Sequence, residues 1–435
     1  MKKITLIALA LVMLISASSC GFIGMDAVLG GSNGEDYLTR EDVEAMLDAM
    51  DKNVTVQGGN TTVIENITSN YDKNLLAANK GLLSAVSVAS TFDVTYTYQG
   101  GYGGFPSISN QQTTSYGSGV IYKLDKAQGN AYIITNHHVV YDSASKTADK
   151  ISDDIKVYLY GQEYAEYAIR AEYVGGSENY DIAVLRVKGS EVLMQSNATA
   201  AVFANSDDVS VLDTAIAIGN PAAEGISATV GVINVDSEEI SITKASGTGY
   251  VALRVMRTDA AVNSGNSGGG LFNDKGEIIG IVNAKMADSD VDNIGYAIPS
   301  NVAKNVAENI LYYDNLDASS DSVRRVMVGI TVTVGEAYTK YDTETGKVHK
   351  MEKVIVKEVS AGGAAEGKLQ VNDVINSVTI DGVVYEVNRT FCVVDAMLNA
   401  RKSSETVSTV VFNVTREGEV MDITFDISKI TLASY

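Results

Sequence analysis

The chain has 435 residues, which is more than one ordinary domain holds. Hydrophobic residues make up 45% of it and charged residues 20%, a composition typical of globular proteins with an apolar core. The formal net charge of −21 argues against partners with phosphate backbones, so we expect no nucleic acid, and it argues equally against adhesion to anionic lipid. No Cys and His residues have the spacing of metal ligands, and we expect no metal site and no cofactor.

The N-terminal residues have the pattern of a secretory signal peptide. Two lysines precede an apolar run at residues 4–15, which is too short to span a bilayer core of about 30 Å as a helix. Small residues follow and end at Cys20, as in a bacterial lipobox, although Ala17 stands where Leu is usual. We predict that residues 1–20 are a lipoprotein-type signal and that a lipid at Cys20 holds the protein on the outer face of a membrane. Simple secretion, to the periplasm or the exterior, is the alternative.

Residues 21–80 have the composition of a tether. A Gly- and Ser-rich patch lies near the start, and residues 53–72 are polar, rich in Asn and Thr, and without a core pattern. Residues 38–50 (LTREDVEAMLDAM) combine a Thr-x-x-Asp start with apolar positions at helical spacing. We therefore predict one short helix within the tether and place the first folded domain at residues 81–313.

Short β-type runs alternate with turn residues through most of that domain. The first set of predicted strands lies at residues 82–89, 118–124, 131–135, 155–160, 165–174 and 181–187. The second set lies at residues 211–218, 226–235, 250–256, 269–273, 277–284 and 294–298. Two sets of regularly spaced short strands predict two β-barrels. Residues 301–313 then have the spacing of an amphipathic helix, and after a polar linker a second small domain is predicted at residues 323–432.

A glycine-rich turn at residues 265–269 (GNSGG) carries the candidate nucleophile, Ser267. A hydrolytic serine needs a tight turn that exposes its hydroxyl and directs backbone N–H groups at the developing oxyanion. Glycines on both sides of the serine allow that backbone conformation. We predict an oxyanion hole at Gly265, Asn266 and Ser267, with the N–H groups of the first and third as donors. A flexible turn without a catalytic role is the alternative.

A serine nucleophile also needs a histidine as base and an acid that orients it, and candidates for both lie within the first set of strands. The chain has three histidines, of which His137 and His138 follow a strand-like run while His349 lies in a charged stretch. Asp181 precedes a buried-looking strand and can accept the Nδ1 proton of a histidine, which fixes its tautomer. The order His, Asp, Ser distributes the three residues over both barrels. We therefore expect the three side chains to meet in a cleft between the barrels.

With these three residues in this order, the chain resembles the HtrA (DegP/DegS-like) family of trypsin-fold serine proteases over roughly residues 80–430. The stretches that carry the resemblance are residues 132–140 (YIITNHHVV), 181–187 (DIAVLRV), 258–272 (TDAAVNSGNSGGGLF), 276–283 (GEIIGIVN) and 294–301 (IGYAIPSN). In this family the catalytic histidine follows Thr-Asn and one variable residue, which selects His138. The resemblance also implies Asp181 as the orienting acid and Ser267 as the nucleophile. The implied fold is mainly β, a trypsin-like double β-barrel followed by one small α+β PDZ domain.

The substrate pocket is expected to be apolar. Chymotrypsin-like pockets are shaped partly by the residue six positions before the nucleophile, which here is uncharged, and the strand expected to form the pocket wall is mainly apolar. The predicted substrate-binding residues are Ala261, Ile281, Val282 and Asn283. We therefore expect cleavage after small or medium apolar residues and not after Lys or Arg.

The C-terminal part resembles a PDZ domain of the HtrA type. Its apolar-Gly-apolar element matches the family's carboxylate-binding loop, whose backbone N–H groups would capture a peptide C-terminus while the peptide adds a strand to the sheet. The residues of this element are Val328, Gly329 and Ile330. Asn372 departs from the family pattern, because relatives commonly carry Gly there. A generic small α+β domain is the alternative.

The resemblance implies a serine endopeptidase that degrades unfolded or damaged exported polypeptides and assembles as a homotrimer or higher oligomer. A rival interpretation is a non-catalytic peptide-binding or chaperone protein on a protease scaffold. The anchor and tether alone would also suit a surface adhesin. Cys392 is expected to be a buried small hydrophobe, and no disulfide is predicted.

Overall fold

The computed structural model describes residues 54–57, 60–63, 70–98, 107–284, 294–317, 321–430 and 432–435. The predicted signal peptide with Cys20 and the predicted helix at residues 38–50 lie outside these ranges. The chain divides into two compact units, Met1–Asn70 and Tyr71–Tyr435. In the first, β1 (Val54–Gln57) and β2 (Asn60–Val63) form an antiparallel hairpin in a stretch where the sequence indicated no element. None of the helices in these ranges combines the length and apolar character that crossing a membrane requires.

The helix α1 (Asn70–Leu82) lies in the second unit except for its first residue, and a closed six-stranded barrel follows it. The strands of the first barrel are β3 (Ala85–Tyr98), β4 (Ser107–Asp125), β5 (Asn130–Thr135), β6 (Asp154–Leu159), β7 (Ile169–Ser177) and β8 (Ile182–Val187). They are hydrogen-bonded in the order β3-β4-β5-β8-β7-β6. Two short helices accompany them, α2 (His137–Val140) directly after β5 and α3 (Glu191–Gln195) after β8.

A second closed six-stranded barrel follows, in the order β10-β11-β14-β13-β12-β9. Its strands are β9 (Thr214–Gly219), β10 (Ser227–Thr243), β11 (Tyr250–Thr258), β12 (Gly270–Phe272), β13 (Ile278–Val282) and β14 (Gly295–Pro299). The helix α4 (Ser300–Leu316) packs after the last strand. Each of the twelve predicted runs overlaps one of these strands. The prediction of a mainly β fold with two barrels is confirmed.

The two barrels share a core because strands present alternate residues to opposite faces. In β8, Ala183 and Leu185 pack inside the first barrel. Ile182 and Val184 point the other way, into a cluster that includes Ile216 of the second barrel. Burial on both faces explains why this strand is apolar at nearly every position. The interface between the barrels is therefore fixed at the strand that begins next to Asp181.

The C-terminal part is a six-stranded sheet with one helix. The short strands β15 (Arg324–Val326) and β22 (Leu432–Ser434) pair with each other. The sheet contains β16 (Ile330–Tyr341), β17 (Val348–Val359), β18 (Val374–Ile380), β19 (Val383–Glu386), β20 (Val410–Arg416) and β21 (Glu419–Phe425). Its main path is β16-β17-β18-β20-β21, so β16 is an edge strand, and α5 (Thr390–Met397) belongs to the same body. Cys392 on α5 is a free cysteine, and it is partly rather than fully buried.

Candidate active site

The barrel topology brings together the residues that flank two neighbouring strands. β5 pairs with β8 in antiparallel register, with Thr135 opposite Ala183. The residues that follow β5 therefore lie beside the residues that precede β8. This register places His138, in the short helix α2, against Asp181.

His138 and Asp181 make two hydrogen bonds. The ring Nδ1 of His138 lies 2.7 Å from Asp181 Oδ2, and the backbone N–H of His138 donates to Oδ1 at 3.0 Å. The other histidine of the motif, His137, is buried with its ring 5.2 Å from that of Tyr141. His138 is therefore the histidine that the carboxylate orients, as the Thr-Asn-x-His spacing predicts.

Asp181 is held in an uncommon backbone conformation. Its φ is +48°, in the left-handed region, where Asp and Asn are tolerated better than most residues. The Asn136 side chain donates to its carbonyl at 2.8 Å. Burial opposes ionisation of the carboxyl group, but the His138 ring and hydrogen bonds outweigh it and lower the pKa of Asp181 below its usual value. The group is therefore an ionised acceptor at neutral pH.

One dipeptide links this acid to the candidate nucleophile. The Nδ2 of Asn283 donates to Asp181 Oδ2 at 2.6 Å. The backbone N–H of the next residue, Ala284, donates to Ser267 Oγ at 3.2 Å. Because adjacent residues contact both groups, Asp181 and Ser267 lie close together. The structure thus brings His138 into contact with Asp181 and connects Ser267 to Asp181 through this dipeptide.

The turn around Ser267 uses some of its backbone N–H groups internally and leaves others available. Asn266 donates to Asn263, Gly268 to Val282 and Gly269 to Asn266, at 2.9 to 3.0 Å. The N–H groups of Gly265 and Ser267 have no acceptor among the residues that the structure describes. These two are the donors predicted for the oxyanion. Since the Asn266 N–H is occupied, this residue shapes the turn and supplies no donor.

Two glycines make the turn possible. Gly265 has a φ of +98° and Gly268 a φ of +86°, conformations that disfavour side chains. A Cβ atom at Gly268 would lie 2.2 Å from the carbonyl oxygen of Ser118. The turn therefore packs directly against β4 of the first barrel, and this contact requires a residue without a side chain.

Three of the four residues predicted to bind substrate have buried side chains. Ile281 packs in the cluster shared by the two barrels, and Val282 packs in the cluster inside the second barrel. The Asn283 side chain is also buried and binds Asp181. These three side chains therefore offer no open surface to a substrate, because alternate positions of β13 fill the barrel core on both faces. The fourth predicted residue, Ala261, is exposed, and its carbonyl accepts a hydrogen bond from Thr229 Oγ1 at 2.9 Å.

The apolar-Gly-apolar element of the C-terminal sheet forms a tight loop before the edge strand. Gly329 has a φ of +82°, and a Cβ there would lie 3.0 Å from the Cα of Gly363. Its carbonyl accepts a hydrogen bond from Ser360 N–H, and that of Val328 accepts one from Ala365 N–H, both at 2.9 Å. Ile330 begins β16. The element is thus a close-packed loop at the start of an unpaired sheet edge.

Two buried polar residues near the site, Asn136 and Ser118, were not predicted from the sequence. Asn136 was read only as part of the histidine motif, although it holds the Asp181 backbone. Ser118 in β4 bonds to the nucleophile turn. Its signal in the sequence is the pair of glycines that flank it, Gly117 and Gly119, because glycine inside a strand marks close approach of another backbone.

Comparisons with known proteins agree with this geometry. The family described as "Trypsin-like peptidase domain" matches residues 117–281. "Serine protease Do-like HtrA" of Bacillus subtilis is 34% identical over 281 residues, covering 63% of this chain and 56% of the relative. The protein of that name from Lactococcus lactis subsp. cremoris is 29% identical over 374 residues, covering 82% and 83%. "Periplasmic serine endoprotease DegP" of Escherichia coli is 32% identical over 290 residues, covering 66% and 53%.

A solved structure has the same overall fold. "HtrA-type protease AlgW with decapeptide" is 25% identical with a TM-score of 0.50, and the match covers 84% of this chain and 99% of that one. The chain spans little more than half the length of the Bacillus subtilis and Escherichia coli relatives, whereas it spans 83% of the Lactococcus lactis protein. The likeness therefore includes the barrels and extends into the C-terminal sheet.

Proposed function

Since the chain belongs to the HtrA (DegP-like) family of trypsin-fold serine proteases, we propose that it is a serine endopeptidase with the catalytic triad His138, Asp181 and Ser267. The observation that carries the proposal is the shared carboxylate of Asp181. It accepts from the His138 ring at 2.7 Å and from Asn283, whose neighbour Ala284 contacts the Ser267 hydroxyl. A buried acid that orients a histidine, linked through Asn283 and Ala284 to a serine in a glycine turn, supplies the three groups that this kind of acyl transfer requires.

The mechanism follows from these contacts. Ser267 Oγ attacks the peptide carbonyl while His138 removes its proton, and Asp181 stabilises the resulting imidazolium. The N–H groups of Gly265 and Ser267 bind the oxyanion of the tetrahedral intermediate. His138 then gives its proton to the leaving amine. In the second half, His138 activates the water that hydrolyses the acyl-enzyme.

We propose that the C-terminal sheet is a PDZ domain that binds peptide C-termini. The loop formed by Val328, Gly329 and Ile330 leads into the unpaired edge of β16, to which an extended peptide can add a strand. A cavity of about 510 Å³ lies beside this edge, with Val332 of β16 and Phe391 of α5 among its lining residues. The cavity is also lined by Leu253 and Arg254 of β11, so a peptide bound there would contact the second barrel as well.

The substrates and location are proposed from the family. One relative is named a periplasmic endoprotease, and one solved relative holds a decapeptide. We propose that this chain is exported, is anchored by a lipid at Cys20, and degrades unfolded or damaged exported proteins as a homotrimer. The uncharged, exposed Ala261 supports cleavage after small or medium apolar residues. The domain limits at residues 81–313 and 323–432 are part of the same proposal.

Labelling of the active serine tests the central claim. The purified protein is treated with a fluorophosphonate probe, the modified residue is mapped by mass spectrometry, and casein cleavage is measured in parallel. We expect a single label on Ser267, and Ser267→Ala should lose both the label and about six orders of magnitude in kcat. Peptide binding without labelling or cleavage would instead support a non-catalytic binding protein on a protease scaffold.

A further inference from the structure

Ser118 joins the two barrels at the nucleophile turn. It lies in β4 of the first barrel and is fully buried. Its hydroxyl donates to the carbonyl of Gly265 at 2.8 Å, and its backbone N–H donates to the carbonyl of Ser267 at 2.7 Å. Its own carbonyl accepts from Thr135 Oγ1 at 2.6 Å. One residue therefore contacts both residues that supply the oxyanion donors, and also the strand end that leads to His138.

The direction of the Ser118 hydroxyl is fixed. Its oxygen accepts a hydrogen bond from the backbone N–H of Asn220 at 2.8 Å. A serine hydroxyl has one proton, so with this lone pair occupied the proton is directed at the Gly265 carbonyl. Asn220 is itself held, because its side chain donates to Ser87 at 2.6 Å and accepts from Gly225 at 2.7 Å. The donor that reaches the turn is thus directed by the backbone N–H of Asn220, whereas Ser87 contacts only the side chain of that residue.

The contact matters because Gly265 is the flexible part of the turn. Glycine at a φ of +98° has several alternative backbone conformations, and a rotation there would redirect its N–H group. The Gly265 carbonyl belongs to the next peptide plane, so a hydrogen bond to it fixes the Cα of Gly265 and the peptide that follows, and this anchors one end of the peptide that carries the N–H. The hydroxyl of Ser118 makes this bond from the opposite barrel.

We propose that Ser118 is a positioning residue for the oxyanion hole, acting through its hydrogen bond to the Gly265 carbonyl. It touches neither substrate nor reacting atoms. It keeps the Gly265 N–H directed at the developing negative charge, where a preorganised donor lowers the barrier. The inference rests on the proposed protease function and adds a residue that the triad motifs do not contain.

Ser87 offers a matched control. It is directly opposite Ser118 in the β3–β4 ladder, is also buried, and also bonds to Asn220. It differs in having no hydrogen bond to Gly265. Ser118→Ala and Ser87→Ala therefore each remove one buried hydroxyl from the same network, and both should lower the thermal midpoint. Only the first removes the contact with the turn.

The experiment compares kcat, KM and the affinity for a peptide aldehyde, which forms an oxyanion adduct. We expect Ser118→Ala to lower kcat by about 10- to 100-fold and to weaken the aldehyde by a similar factor, with little change in KM. Ser87→Ala should retain kcat within about threefold, well below the loss of one oxyanion donor. Equal kcat and equal aldehyde affinity in the two variants would overturn the proposal.

Two further measurements keep the outcomes separate. If Ser118→Ala does not fold, Ser118→Cys replaces the hydroxyl by a weaker donor, and kcat and aldehyde affinity should fall together, by less. Wild-type values in that variant would also overturn the proposal. The wild-type protein is labelled with the fluorophosphonate in every series. A wild type without label contradicts the protease function itself, whereas a labelled wild type with equal alanine variants contradicts only the role of Ser118.

Discussion

The catalytic groove and the contact with the C-terminal sheet are built from different chemistry. Between the two barrels, neutral groups meet in the bonds from Ser118 to Gly265 and from Asn220 to Ser87, and Asp181 brings a charge that is bonded to the neutral Asn283. Between the second barrel and the C-terminal sheet, the meeting groups are charged. There Arg254 of β11 reaches Asp395 of α5 at 2.7 Å.

The charged contact is extensive. Besides Asp395, the Arg254 guanidinium binds Asp207 at 2.7 Å and Ser237 Oγ at 2.8 Å, and it lies 4.2 Å from the ring centroid of Phe391. Only 9% of the Arg254 side chain is exposed, so the pairs are poorly screened. Long side chains can keep such a pair while the two bodies shift, whereas short neutral bonds to backbone cannot. The two contacts therefore differ both in charge and in the length of the side chains that make them.

The largest expected effect comes from replacing Asp181, whose charged carboxylate orients the His138 ring. Asp181→Asn preserves size, and Asn tolerates the φ of +48° as well as Asp does. The amide would present a donor to His138 Nδ1 and favour the wrong tautomer, so we expect kcat to fall by about 10⁴-fold with KM nearly unchanged. The control is Asp314→Asn, because Asp314 is also buried but pairs with Arg186 away from the groove. A loss below tenfold would contradict the assigned role of Asp181.

A smaller loss, of stability rather than rate, is expected at the charged contact. Arg254→Met removes the cation and leaves Asp395 buried without its partner, which should cost about 3 kcal/mol in the free energy of unfolding. Thermal unfolding in low and high salt measures it, and the salt dependence should be weaker in the variant than in the wild type. Limited proteolysis should show earlier cleavage between α4 and β16.

Arg257→Met is the control for that experiment. Arg257 lies on the same strand and pairs with Glu238 at 2.6 Å within the second barrel, with about a third of its side chain exposed. We expect a loss of about 1 kcal/mol or less. Similar losses in the two variants would show that the attachment of the C-terminal sheet does not depend on Arg254.

The same contrast explains what the sequence could predict. The twelve barrel strands follow from apolar runs and turns, and the meeting of His138 and Asp181 follows from their places beside neighbouring strands. Arg254 and Asp395 are 141 positions apart, and nothing in either local pattern indicates their contact. The burial of the Ile281 and Val282 side chains could not be predicted, because an apolar strand fits a pocket wall and a doubly buried core strand equally well.

The sequence predicted one special backbone position in the C-terminal sheet but not the length of its first two strands. Asn372, noted as a departure from the family's glycine, has a φ of +74°. Asn tolerates this region, so the turn forms with either residue. The length of β16 and β17 was not foreseen, nor was the contact of Lys347, beyond the end of β16, with Asp213 of the second barrel at 3.2 Å. The ends of these two strands are mostly exposed and polar, so they lack the alternation of apolar residues from which a strand is predicted.

The smallest expected effect concerns Asp373, whose charged pair with Arg416 lies entirely within the C-terminal sheet. Asp373 is buried in the C-terminal sheet and accepts two hydrogen bonds from Arg416 at 2.7 Å and one from Gln370 N–H at 2.8 Å. Burial opposes its charge, but these bonds outweigh it and lower the pKa of Asp373. The unfolded chain therefore takes up this proton at higher pH than the folded one. The stabilisation is complete above about pH 5 and is lost as pH falls through the folded-state pKa.

We expect Asp373→Asn to lower the free energy of unfolding by about 2 kcal/mol at pH 7, between the values typical of exposed and buried pairs. The loss should shrink as pH falls below 5, since the wild type then loses the same contribution. Hydrogen exchange of the β18 and β20 amides localises the effect to this sheet. Glu336→Gln, which removes the exposed pair with Lys353 in the same sheet, should leave exchange unchanged. A loss that persists undiminished at pH 3 would assign the role of Asp373 to packing, because charge is the only contribution that protonation removes.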